Sequence, residues 1–108
     1  MTDSVKERIA IGTLADFPVD QVSPATLPDG TAIAVYNVEG ALYATADLCT
    51  HGESSLSDEG TLIGHVIECA WHAGTFDVRT GEALTMPCQI ALQTYAIEVD
   101  GDQVYVAA

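Results

Sequence analysis

Basic side chains are nearly absent from this chain: three Lys and Arg stand against sixteen Asp and Glu in 108 residues, a formal charge of −13. A surface of that sign repels nucleic acid and anionic lipid and favours a partner with a basic docking face. Long apolar runs are missing as well, and none approaches the about 18 residues of a membrane-spanning helix. Residues 1–10 show no charged-then-apolar leader, so a soluble, cytoplasmic protein is expected. Cysteine is scarce, three in all. An odd number in a reducing compartment suits metal binding better than a disulfide framework. Sustained helical periodicity, internal repeats, low-complexity tracts and linkers are also lacking. At this length one domain over residues 1–108 is expected, with a core but no room for a second catalytic unit.

What is present is a series of short apolar runs cut by turn signals. Residues 6–12 alternate loosely and end at Gly12, a first strand. The stretch from Leu14 to Pro18 is a connector, because proline cannot continue a helix or a central strand. Pro28-Asp29-Gly30 separates a run at Gln21–Leu27 from one at Thr31–Val38, Glu39-Gly40 separates that from Ala41–Ala46, and Asp100-Gly101 separates Leu92–Val99 from Gln103–Ala107. Acidic residues followed by glycine mark hairpins, since glycine accepts positive φ. With β-branched and tyrosine residues filling the runs, the class is all-β, a small antiparallel sandwich or barrel.

Between these runs lies an insertion of different character. Cys49-Thr50-His51 is followed, after a polar loop and strands at Thr61–Ile63 and His65–Glu68, by Cys69-Ala70-Trp71-His72. Each short pair offers one thiolate and one imidazole. Half soft sulfur and half borderline nitrogen suits zinc or a [2Fe–2S] cluster and does not suit calcium or magnesium. Ligands so close in sequence need tight loops, which Gly52 and Gly74 could supply. Zinc patterns pair Cys with Cys and His with His, whereas these pairs are mixed. Thr75–Val78 then leads into a turn at Arg79-Thr80-Gly81.

The C-x-H, spacer, C-x-x-H arrangement resembles that of the Rieske family, closest to the small soluble ferredoxins of bacterial aromatic-ring-hydroxylating dioxygenases. The resemblance runs from the first strand to Val106. It implies a Rieske fold, a β-sandwich base carrying a cluster-binding subdomain at about residues 46–88. It also implies one [2Fe–2S] cluster, with Cys49 and Cys69 on one iron and His51 and His72 on the other. Trp71, Gly52, Gly74 and Pro87 would stand close around it, Trp71 shielding sulfide from water or meeting a partner. Cys88, beside Pro87, is read as a packed or semi-exposed thiol. His65, the third histidine, is read as a structural residue within a strand.

The implied activity is one-electron transfer from a flavoprotein ferredoxin reductase to a terminal Rieske oxygenase, without catalysis by this chain. Two departures from high-potential relatives refine this. Those proteins carry a disulfide where this chain has Ser54 and Trp71, and they place a serine and a tyrosine donor where it has Gly74 and Phe76. Fewer donors to cluster sulfur leave the reduced state less stabilised, so a low reduction potential is expected. The competing readings are a Rieske-like small subunit of an assimilatory nitrite reductase and a zinc-stabilised interaction module.

Overall fold

The computed structural model describes residues 8–49, 54–70, 74–85 and 90–107. In chain order β1 spans Arg8–Thr13, a 3₁₀ turn Leu14–Asp16, β2 Gln21–Thr26, β3 Ala32–Val38 and β4 Ala41–Ala46. A single helical turn, α1, covers Leu56–Glu59, followed by β5 Thr61–Ile63, β6 Val66–Glu68, β7 Thr75–Asp77, β8 Ala83–Thr85, β9 Thr94–Asp100 and β10 Gln103–Ala107.

Turn chemistry sets the strand register. At the β2–β3 connection, Asp29 Oδ1 accepts the Thr31 N–H at 2.9 Å and Gly30, at φ +93°, donates to the Leu27 carbonyl at 2.8 Å. At the β3–β4 connection Glu39 and Gly40 both adopt positive φ, +54° and +95°, the geometry of a two-residue hairpin turn that pairs Val38 with Ala41. The last hairpin differs by one residue from the sequence reading. Asp100 stays in β9 opposite Gln103, and the turn is Gly101-Asp102.

The strands form two antiparallel sheets: six strands in the order β1-β10-β9-β4-β3-β2, and four in the order β5-β6-β7-β8. The small sheet is an insertion in the chain between β4 and β9. That junction is short, since β4 and β9 pair only at Ala44–Tyr95 and Thr45–Thr94.

β3 is the shared wall of two cores. Its odd-numbered residues Ile33 and Val35 pack with Phe17, Ala44, Val104 and Val106 inside the large sheet. Its even-numbered residues Ala34, Tyr36 and Val38 pack with Leu56, Ile67, Phe76, Val78 and Leu92 from the insertion. A strand buried on both faces reads as a near-continuous apolar run, which Ala32 to Tyr36 is. Asn37 ends the run. Its amide donates to the Phe17 carbonyl at 2.7 Å and its Oδ1 accepts the Gly40 N–H at 2.9 Å, so a buried polar side chain is satisfied.

Three sequence expectations need correction. His65 is not in a strand: with Gly64, at φ +58°, it forms the turn between β5 and β6. Leu92 precedes β9 instead of opening it, donating its N–H to the Gly81 carbonyl at 2.8 Å while its side chain enters the core. The stretch read as a polar loop before Thr61 contains α1, and β8 follows the turn at residues 79–81 as a further strand.

Candidate metal centre

β4 delivers the first cysteine and β6 the second, and the two loops they open are closed alike. The Cys49 N–H donates to the Ser54 carbonyl at 2.9 Å, and the Cys69 N–H donates to the Gly74 carbonyl at 2.8 Å. Each bond ties a cysteine to the residue five further on, so both loops are cinched at the base with the cysteine as the first residue inside. Cys49 and Cys69 are each only 1% exposed and belong to one packed cluster with Tyr36, Leu56, Ile67 and Phe76. The fold therefore brings both predicted thiolates to one water-poor wall.

The surrounding loops are held differently. The second is the loop of a β hairpin, its base set by the Glu68–Thr75 ladder pair. The first has only one isolated bridge, Leu48–Ser55, flanking its base. Side chains supplement it: Asp47 Oδ2 accepts from Ser55 Oγ at 2.6 Å, Asp47 Oδ1 from the Ser57 N–H at 2.8 Å, and the Asp47 carbonyl from the Leu56 N–H at 2.8 Å. Buried Ser54 donates its hydroxyl to Glu59 Oε1 at 3.0 Å. Beneath them Tyr36, fully buried, has its hydroxyl 2.8 Å from Thr45 Oγ1. Burial pushes the Tyr36 phenol well above the usual tyrosine range, against the Thr45 hydrogen bond and with the Asp47 and Cys49 charges.

Of the predicted ligands, Cys49 and Cys69 lie among the described residues, both buried in the same cluster. His51, His72, Gly52, Trp71, Pro87 and Cys88 lie outside the described residues. Gly74 is buried and supplies the carbonyl that closes the second loop. Phe76, two residues on, is wholly buried and offers no hydrogen-bond donor. His65 stands at the opposite end of β6 from Cys69. Its ring meets Tyr43 of β4 edge-on, with centroids 5.8 Å apart and planes at 76°, and its carbonyl accepts the Val78 N–H at 2.9 Å. That contact clips the small sheet to the large one, a structural role.

Asp47 and the Ser55–Ser57 segment were missed in the sequence. A serine three before an acidic residue at the start of a helical turn was the available signal. Among the described residues no group of three or more His, Cys, Asp or Glu side chains converges, so the nearby carboxylates do not complete a metal site with the thiols. Two desolvated sulfurs in one buried cluster fit a soft-metal group that needs two thiolates.

An all-β scaffold with buried cysteines at the bases of two cinched loops fits an electron-transfer or structural metal-sulfur protein. Sequence comparison makes the choice: residues 8–96 match the Rieske [2Fe–2S] domain, and the chain belongs to that family, whose cofactor is one [2Fe–2S] cluster. The ferredoxin component of the p-cumate 2,3-dioxygenase system of Pseudomonas putida is 40% identical over 105 residues, 97% of this chain and 89% of that protein. The ferredoxin component of the naphthalene 1,2-dioxygenase system of Pseudomonas aeruginosa is 43% identical over 93 residues, 86% and 88% of the two chains. A solved complex of reduced oxygenase and oxidised ferredoxin in carbazole 1,9a-dioxygenase contains a chain that superposes with a TM-score of 0.85 at 40% identity, covering 93% of this chain and 92% of that one.

Proposed function

We propose that this chain is the ferredoxin of an aromatic-ring-hydroxylating dioxygenase system, carrying single electrons in the cytoplasm from a flavoprotein reductase to a terminal oxygenase. The observation that carries the reading is the 40% identity to a dioxygenase-system ferredoxin across 97% of the chain. The insertion at about residues 46–88 is the cluster-binding subdomain in this reading. Cys49, Cys69, His51 and His72 would hold the cluster, the cysteines one iron and the histidines the other, and Trp71, Gly52, Gly74 and Pro87 would stand around it. When bound, the [2Fe–2S] group takes up and releases one electron.

The described residues support that task in three ways. Tyr36, Leu56, Ile67 and Phe76 keep water from the thiolate side, which tunes potential and protects sulfur from solvent. The paired Cys N–H to carbonyl bonds fix both cysteines relative to the sheets, so little need move as charge changes. The absence of side-chain donors at Gly74 and Phe76 favours a low potential, suited to an acceptor of electrons from a reduced flavin.

The test mixes the purified protein with a ferredoxin reductase, NADH and cytochrome c. Reduction of the cytochrome should depend on the protein and vanish in Cys69→Ser. Reduction at an equal rate without the protein, or a colourless protein containing zinc alone, would overturn the proposal.

A further inference from the structure

We propose that Asp47 is the positioning residue of the first ligand loop, holding Cys49 in the place that a strand ladder gives Cys69. The inference deepens the ligand assignment above and rests on it.

The two loops have the same closure at the cysteine and different support behind it. Behind Cys69, Glu68 pairs with Thr75 in a continuous ladder from β6 to β7. Behind Cys49 no such ladder exists among the described residues. Residues 48 and 55 make one bridge, and the chain beyond turns at once into α1. Asp47 fills the gap from the strand side. Its two carboxylate oxygens and its carbonyl take three separate donors, Ser55 Oγ, Ser57 N and Leu56 N, from the three residues that follow the loop.

The consequence is geometric. Leu56 is wholly buried in the core that contains both cysteines, so α1 is anchored there. Asp47 ties the entry of the loop to that anchor, and Cys49 is two residues along. A charged acceptor makes shorter and stronger hydrogen bonds than a neutral one, and the half-buried setting of Asp47 keeps solvent from competing fully. Loss of the clamp weakens the support of the loop base, where the Cys49 N–H to Ser54 carbonyl bond, the Ser54 hydroxyl bond to Glu59 and one bridge remain among the described residues. Groups that hydrogen-bond a metal ligand directly cost about 10-fold to 100-fold in metal affinity when removed, and Asp47 acts one step further out, through the residues that close the loop.

A merely structural cap would lower stability without altering the cluster's environment, which the experiment separates. Asp47→Ala is purified with its cluster and compared with the parent for iron release to a chelator and for the electron paramagnetic resonance spectrum of the reduced protein. Release faster by up to about 10-fold, the lower end for a direct partner of a ligand, together with shifted g values, is the expected result. Asp47→Asn keeps an Oδ1 acceptor for the Ser57 N–H and should restore most of both readouts. Asp29→Ala removes a similar turn bond, to Thr31 N, in the base of the large sheet and should leave both at the parent value.

Parental release and spectrum in Asp47→Ala overturn the proposal. So does faster release with the parental spectrum, failure of Asp47→Asn to restore either readout, or equal changes in Asp29→Ala. If Asp47→Ala does not fold, Ser55→Ala, which removes the bond to Oδ2 together with the cap on the Asp58 N–H and the contact with Ser57 Oγ, is read by the same criteria. Cys69→Ser is the separate check on the ligand assignment: a variant that keeps the parental cluster removes that assignment, and the role of Asp47 falls with it.

Discussion

At the scale of single residues the centre depends on where donors are and are not. Thr45 has one hydroxyl proton and donates it to the Ala46 carbonyl at 2.8 Å, so Tyr36 is the donor in its 2.8 Å contact with Thr45. Tyr36→Phe should cost about 1 kcal/mol, a fall in Tm of about 4–8 °C for a domain near this size. It should also change the response to alkali. An unfolded tyrosine ionises near pH 10, whereas the folded Tyr36 holds its proton to higher pH. Its contribution is complete below pH 10 and is lost as pH rises from there toward the folded value. Denaturant titrations between about pH 8 and 11 should show a smaller alkaline loss of stability in Tyr36→Phe than in the parent. The second residue-scale consequence concerns Phe76, buried with both cysteines and lacking a hydroxyl. The midpoint should lie at roughly −150 mV, the low end of the Rieske range, and Phe76→Tyr should raise it. A positive parental midpoint in protein-film voltammetry would contradict this.

At the scale of elements the junctions matter more than the strands. Gly81 sits at φ +80°, and a Cβ added there would stand 2.2 Å from the Leu92 carbonyl oxygen. The same pair makes the hydrogen bond that returns the chain from the insertion to the core. Gly81→Ala should therefore destabilise by about 1–3 kcal/mol through backbone strain, seen as a lower denaturant midpoint and weaker cluster retention. Gly30→Ala, at φ +93° but with nothing within 4 Å of the added atom, should cost less. These junctions also mark the limit of sequence reading. Hairpins were legible at Asp29-Gly30 and Glu39-Gly40 because positive φ has a residue signature. α1 and β8, four and three residues long, are too short to carry a period. β6 begins at Val66 because the turn takes His65, and periodicity alone does not distinguish a turn residue from a strand end. The cysteine and histidine spacing was legible in the same way as the hairpins, as local chemistry. Support from Asp47 was not, since its donors lie eight to ten residues away and meet it only after the loop has closed.

At the scale of the whole molecule the charge of −13 is scarcely offset on the surface. Both arginines among the described residues are already matched to carboxylates: Arg8 lies 3.8 Å from Glu98 and 3.7 Å from Asp100, and Arg79 is 2.9 Å from Asp77. The charge that remains outward among the described residues is acidic, including Asp58 and Glu59 directly after the first loop. Transfer to a basic partner should slow as salt rises from about 0.01 to 1 M, over which the screening length falls from about 30 to 3 Å. A rate independent of salt in stopped-flow mixing would mean that these carboxylates do not steer docking. The double-sided burial of β3 has a different consequence, for how the molecule comes apart. Neither half can melt and leave the other intact, since each would lose one of its own inner surfaces. Heating should therefore bleach the colour and abolish the far-ultraviolet β signal at a single temperature, with the amides of that central strand the last to exchange with deuterium.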